Sequence, residues 1–304
     1  MGGFLSLVRS IPLFVRTFKG SSGKGATAEG QPRETERDLP LRAVLIGLAC
    51  VIVFIWVAPA VPVGFLGAVL IALFGFFFAA VSARMVGLVG SSNNPVSGMT
   101  IATLVVATLV LKMTGSTGAV GMVAAIAIGA VVCIVAAIAG DTAQDLKTGH
   151  LLGATPWKQQ IGEFIGVTAS ALAIGGVLVL LHRAWGFGSD AISAPQATLM
   201  KVIVEGIMGG GLPWNMLAVG VVLAIVLTLF RVPVMPVAIG IYLPVGLSVA
   251  MLAGGLLRYA VNRRGGTEAA KSNGEDGGTL FSAGLIAGEG LCGILLAALS
   301  LICR

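Results

Sequence analysis

The stretch GLVGSSNNPVSGM, residues 87–99, decides how the rest of this chain is interpreted. It lies between two long apolar runs, yet it brings hydroxyls, amides and a proline to the place where a membrane helix would begin or end. Pro95 lacks a backbone donor and disfavours helical backbone at Asn94, so the chain is predicted to turn or unwind here. Unwound backbone at membrane depth is tolerated only where protein or a water-filled cavity satisfies it. The stretch is therefore a candidate lining for a pathway.

The composition around this stretch is that of a polytopic membrane protein. Of the 304 residues, 57% are hydrophobic and 11% are charged, and the mean hydropathy is +1.00. Soluble domains average about 25% charged residues. The apolar runs have about the 18 to 25 residues of membrane helices and lack the roughly 10-residue alternation of outer-membrane strands. The predicted fold is therefore all-α, a polytopic transmembrane helix bundle.

About eight or nine apolar segments are candidate membrane spans. They cover residues 41–60, 63–81, 99–111, 119–139, 160–181, 197–212, 214–230, 234–257 and 280–302. The segment 99–111 reaches spanning length only by taking in the polar residues before it or Lys112 after it. The segment 197–212 is short and runs into GGGLPW, so it is predicted to be a tilted span or a re-entrant half-helix.

The chain divides into two parts by composition. Residues 1–42 are predicted to form a cytoplasmic amphipathic segment and linker, and residues 43–304 a transmembrane domain with a polar loop at 258–279. Most of the 19 Lys and Arg residues fall on one side when the amino terminus is placed inside. The chain is predicted to be a multi-pass protein of the cell membrane, and the positive-inside rule places its amino terminus in the cytoplasm. Because topology explains the net charge of +6, no nucleic-acid partner is predicted.

Three charged residues inside apolar segments are candidates for proton coupling. Lys201 and Glu205 stand four residues apart on one helix face and can pair. Glu289 lies between two glycines in the last apolar run. Charges within a bilayer are costly and usually face a cavity or a partner. Each carboxylate is expected to carry a proton or to be paired. The sequence favours neither of two roles, a proton relay or a structural hydrogen bond between helices.

A short polar connection, GDTAQDLKTGHLLGATPWKQQ at residues 140–160, is a second candidate site. Asp141 and Asp145 share one helix face, with Gln144 beside them and Lys147 further along. On the residues alone, an ordinary cytoplasmic loop with capped helices is the preferred interpretation.

No catalytic or metal-binding arrangement stands out in the sequence. His150 and His182 have no Cys or carboxylate at ligand spacing, so neither is predicted to bind a metal. Nucleophile motifs and phosphate loops are absent. The four cysteines are interpreted as small apolar packing residues: Cys50, Cys133, Cys292 and Cys303. We predict no enzyme and no cofactor, and a membrane-embedded metalloenzyme is the least supported alternative.

Five segments in order resemble the oligopeptide transporter (OPT) family, which includes the yellow stripe-like metal-chelate transporters. They are GLVGSSNNPVSGMT at 87–100, the polar connection at 140–160, EGIMGGGLPW at 205–214, PVAIGIYLP at 236–244 and GLIAGE at 284–289. The resemblance implies proton-coupled secondary transport of short peptides or metal-chelate complexes across a lipid bilayer. It covers the carboxy-terminal half of such transporters only. A partial or half-length chain is therefore expected, with a missing amino-terminal half or a second copy as its partner.

The chemistry of the residues assigns them hypothetical roles within this resemblance. A helix break offers hydroxyls, amides and carbonyls to a zwitterionic peptide or chelate, which gives as substrate-path candidates Ser91, Ser92, Asn93, Asn94, Pro95 and Gly98. Glu205 and Glu289 are the proton-coupling carboxylates, with Lys201 pairing Glu205. The flexible joint of alternating access consists of Gly209, Gly210, Gly211, Pro213 and Trp214. A non-transporting membrane scaffold or remnant that needs a partner half is the alternative.

Overall fold

The computed structural model describes most of the chain as helix. The described residues are 38–58, 61–91, 94–189, 192, 194–211, 214–232, 234–243, 245–264 and 268–303. Within them there are ten helices and no strand, which confirms the all-α prediction. The helices are α1 (Leu41–Val57), α2 (Gly64–Val89), α3 (Val96–Met113), α4 (Gly118–Leu152), α5 (Pro156–Ala184), α6 (Pro195–Gly209), α7 (Trp214–Leu229), α8 (Val234–Tyr242), α9 (Val245–Arg264) and α10 (Glu268–Ile302).

Five stretches of helix in the described part of the chain are long and apolar enough to cross a membrane. They are Gly64–Gly87, Val96–Met113, Gly118–Leu152, Pro156–Ala184 and Leu280–Ile302. Three shorter apolar helices accompany them, at Arg42–Val57, Trp214–Leu229 and Val245–Val261. Their length and composition are those of a multi-pass membrane protein.

Two of the predicted apolar segments have different bounds in the structure. The segment 99–111 becomes the 18-residue α3 by taking in residues on both sides, including Lys112. The segment 234–257 was predicted as one span and is two helices, α8 and α9. Pro244 explains this split, because a proline disfavours helical backbone at the residue before it.

Helices α2, α3 and α4 form a common core, in which α4 packs extensively against both of the others. The contact face of α4 carries small and β-branched residues three or four positions apart, as a helix face requires: Ala125, Ile128, Val132 and Ala136, all fully buried. Phe78 of α2, Leu104 of α3 and Val204 of α6 belong to the same buried cluster. This core holds α2 and α3 against α4.

The described residues form two compact units. One lies within Met1–Val167 and Ala197–Met235, and the other within Thr168–Gln196 and Pro236–Arg304. In the second unit α10 packs against α9. Helix occupies residues 258–264 and 268–279, most of the stretch that the sequence predicts as a polar loop. The predicted amphipathic segment and most of the linker, residues 1–37, lie outside the described residues.

Candidate functional site

The helix break predicted from the polar stretch lies between α2 and α3. Helix α2 ends at Val89 and is followed by Gly90, whose φ of 83° is in the left-handed region that favours glycine. A turn follows, in which the backbone N–H of Asn94 donates to the carbonyl of Ser91 at 3.1 Å. Helix α3 then begins at Val96 with Pro95 as its cap residue. Ser92 and Asn93, two of the substrate-path candidates, lie outside the described residues.

Asn94 ties this break to the core through two consecutive hydrogen bonds. Its Nδ2 donates to the Oγ of Ser82 in α2 at 2.6 Å. The Ser82 hydroxyl in turn donates to the backbone carbonyl of Ala136 in α4. Ser82 is fully buried, so the chain of bonds runs through the interior and joins α2 and α4 to the turn before α3.

Gly140 of α4 is the residue that permits this close approach. A Cβ atom at this position would stand 2.6 Å from Asn94 Nδ2, 2.8 Å from Ser82 Oγ and 2.9 Å from Val86 Cγ2. These distances are shorter than van der Waals contact, so only glycine fits without movement. Gly140 opens the polar connection at 140–160. The structure therefore brings the two candidate sites together, which the sequence did not predict.

The turns of α4 that follow Gly140 also lie against the end of α2. Lys147 Nζ donates to the carbonyl of Gly87, in the last turn of α2, at 2.6 Å. Gln144 lies next to the break, because its Oε1 would be 3.9 Å from a Cβ at Gly90. A cation at a helix carboxy terminus neutralises the partial negative charge of its free carbonyls. Two residues of the predicted cytoplasmic motif thus lie beside the end of α2.

Other residues of α4 lie near the start of α5, where the structure places a carboxylate that sequence reasoning missed. Glu163 of α5 lies within hydrogen-bonding reach of Thr142 and Gln159, and near the carboxylate of Asp145. Its Oε1 is buried and has no hydrogen-bond partner among the described residues. Glu163 could have been found, since it lies inside the predicted apolar segment 160–181. Asp141, by contrast, is exposed.

The predicted pair on α6 is present but lies at the surface of this structure. Lys201 Nζ and Glu205 Oε1 are 3.7 Å apart, with side chains 65% and 52% exposed. Lys112 of α3 donates to the carbonyl of Ile207, in the last turn of α6, at 2.6 Å. Glu289 is exposed on α10, in the second unit.

The predicted joint follows the end of α6. Helix α6 has 15 residues, which is shorter than a span, and ends at Gly209. Gly210 has a φ of 70°. Trp214 begins α7, whereas Pro213 lies outside the described residues.

The histidines and cysteines make no metal centre in the described part of the chain. No group of three or more His, Cys, Asp or Glu side chains is placed to hold an ion there. The ring of His182 stacks on Phe187, with centroids 5.8 Å apart. Cys50, Cys133, Cys292 and Cys303 are free thiols.

These features are those of a polytopic helical membrane protein. Three helices of spanning length, α2, α3 and α4, pack together and a polar turn joins the first two. The chain belongs to the OPT oligopeptide transporter protein family, whose sequence model matches residues 12–300. This confirms the family resemblance seen in the five motifs.

Two relatives show how much of a longer protein this chain matches. It is 38% identical over 257 residues to the "Putative oligopeptide transporter" of Haemophilus influenzae, covering 73% of this chain and 41% of that protein. It is 28% identical over 176 residues to the "Putative oligopeptide transporter YGL114W" of Saccharomyces cerevisiae, covering 52% of this chain and 24% of that protein. No solved structure matches the chain. The chain thus spans less than half the length of these relatives.

Proposed function

We propose that the protein is a secondary transporter of oligopeptides or metal-chelate complexes, driven by protons. Family membership supports the transporter class. The observation that carries the proposal is the contact of the break with α4, where Asn94, Ser82 and Gly140 meet. Polar groups inside an apolar bundle carry a desolvation penalty. They therefore usually pair with other polar groups or face a cavity. These groups lie at the turn that connects two candidate spans, and we propose that this turn lines the substrate path.

The two helix ends at the break suit a zwitterionic substrate. The carboxy-terminal end of α2 carries partial negative charge, which attracts an ammonium group. The amino-terminal end of α3 carries partial positive charge, which attracts a carboxylate. The proposed path contains Ser91, Ser92, Asn93, Asn94, Pro95 and Gly98.

For proton coupling we propose three carboxylates. Glu205, paired with Lys201, and Glu289 are the two that the sequence indicates. The structure adds Glu163, because one of its oxygens is buried without a partner beside Asp145. In such surroundings a charged carboxylate carries a larger desolvation penalty than a protonated carboxyl group. Burial therefore favours the gain of a proton during the transport cycle.

We also propose that the glycine-rich joint moves and that the path has a second wall. Gly209, Gly210 and Gly211 allow large backbone changes between α6 and α7. Transporters of this kind place the site between two halves. Since this chain spans 41% of its Haemophilus relative, we propose that the opposite wall comes from a further protein segment or a second copy.

Uptake into vesicles tests this function. The full chain is purified, reconstituted in proteoliposomes and given labelled trialanine, with and without an inward proton gradient. We expect accumulation that requires the gradient and disappears with a protonophore, and competition by a metal-chelate complex tests the second substrate class. Protein-free vesicles are the control. Absence of uptake by folded, reconstituted protein would favour the scaffold alternative.

A further inference from the structure

One hydrogen-bond acceptor of Asn94, its Oδ1 atom, has no donor in its described surroundings. Its Nδ2 donates to Ser82 Oγ at 2.6 Å, and the single Ser82 proton is used on the carbonyl of Ala136. The Oδ1 atom of Asn94 is buried and finds no donor among the residues that the structure describes. A buried polar atom without a partner is uncommon and calls for a water, an ion or a ligand.

Exchanging the two amide atoms of Asn94 does not remove the mismatch. With Oδ1 facing Ser82, the serine hydroxyl would have one proton for two acceptors, Asn94 and the carbonyl of Ala136. The amide NH₂ would then occupy the buried position and lose the acceptor that it now has. The observed orientation satisfies more groups, so the orphan is an acceptor and requires a donor from outside this contact.

The neighbouring charges indicate which kind of donor fits. Lys147 places its ammonium on the carbonyl of Gly87 at 2.6 Å, so this side chain is engaged at the end of α2 and the donor for Asn94 Oδ1 has to come from elsewhere. A bare cation is less suitable, because the amino-terminal end of α3 at Val96 carries partial positive charge. A molecule with an ammonium and a carboxylate can place the ammonium on Asn94 Oδ1 and the carboxylate near the amino-terminal end of α3.

We propose that Asn94 Oδ1 accepts a hydrogen bond from the free N-terminal ammonium of a peptide substrate, an assignment that rests on the transport function proposed above. The contact selects peptides with a free amino end. It disfavours N-blocked peptides, which lack the ammonium.

Three peptides test this assignment on the unaltered protein. Binding of trialanine, N-acetyl-trialanine and trialanine amide to the full chain in nanodiscs is measured by calorimetry. We expect acetylation to weaken binding at least about tenfold, the effect of losing one charge-assisted hydrogen bond. Equal affinity for the free and the acetylated peptide would overturn the assignment while leaving transport possible. Failure to bind any of the three would instead remove the proposed function itself.

Variants at position 94 locate the effect. Asn94→Leu keeps the volume but removes the acceptor, so it should bind free and acetylated peptides within about twofold of each other. Asn94→Asp keeps an acceptor and adds charge, so its preference for the free amino end should equal or exceed that of the wild type. The matched control is Thr108→Val, because the Thr108 hydroxyl bonds only to Leu104 of its own helix at 2.6 Å. An Asn94→Leu protein that folds and still discriminates tenfold would contradict the assignment.

Discussion

Gly140 and Asn94 are in such close contact that a Cβ on the glycine would stand 2.6 Å from the asparagine Nδ2. Because Ser82 Oγ and Val86 Cγ2 would also lie within 3 Å, no single side-chain rotation relieves the overlap. We expect Gly140→Ala to lower the free energy of unfolding by about 1–3 kcal/mol, the usual effect of overpacking a core. Thermal unfolding of purified protein in detergent measures it.

The control for this substitution is Gly162→Ala in α5. Nothing lies within 4 Å of a Cβ at Gly162, and alanine in a helix interior is favoured over glycine by up to about 1 kcal/mol. The two variants should therefore shift the melting temperature in opposite directions. Equal shifts would show that the contact at Gly140 relaxes without penalty.

The break itself was predictable, whereas its contact with α4 was not. Proline and a run of short polar residues act on the local backbone, so Pro95 marks the end of a helix in the sequence alone. Which helix packs against that turn depends on how α4 lies against α2 and α3, and no local pattern contains this information. The pair Lys201 and Glu205 was predictable for the opposite reason, because i and i+4 residues of one helix always share a face.

Two further differences have physical causes. The apolar run 234–257 is continuous in hydrophobicity, whereas its helix ends at Tyr242 and a new one begins at Val245. Glu163 was overlooked because it lies near the end of a long apolar run, where a charged residue is commonly solvated. Its contact with Thr142 arises only where the start of α5 lies beside α4, whereas Gln159 stands one turn earlier on α5 itself.

Lys147 should hold the end of α2 by its hydrogen bond to Gly87. We expect Lys147→Met to raise the hydrogen-exchange rate of the backbone amides at residues 87–91, because the last turn loses its cationic partner. A loss of about 0.5–1 kcal/mol corresponds to a two- to fivefold faster exchange. Lys147→Arg keeps the charge and should remain close to the wild type. Identical exchange in all three proteins would show that the bond contributes nothing in solution.

Ser91 is exposed at the break and should report on access to the proposed path. In a background without Cys50, Cys133, Cys292 and Cys303, we expect Ser91→Cys, Ser92→Cys and Asn93→Cys to react with a water-soluble maleimide. Trialanine should slow this reaction. Thr103→Cys is the control, because Thr103 is fully buried in α3 and should stay unlabelled. Unreactive cysteines at the break would indicate a closed structural turn.

The last prediction concerns Glu289, which is expected to carry the transported proton. Glutamine has nearly the shape of protonated glutamate but cannot release a proton, so Glu289→Gln should abolish the dependence of uptake on the proton gradient. Glu163→Gln, in the other unit, is the comparison: if Glu163 serves only to pack α5 on α4, that variant lowers thermal stability and leaves the gradient dependence intact. Uptake of labelled trialanine at several external pH values, at constant internal pH, separates the two. Unchanged gradient dependence in Glu289→Gln would remove Glu289 from the relay, and its loss in Glu163→Gln would place the proton on α5.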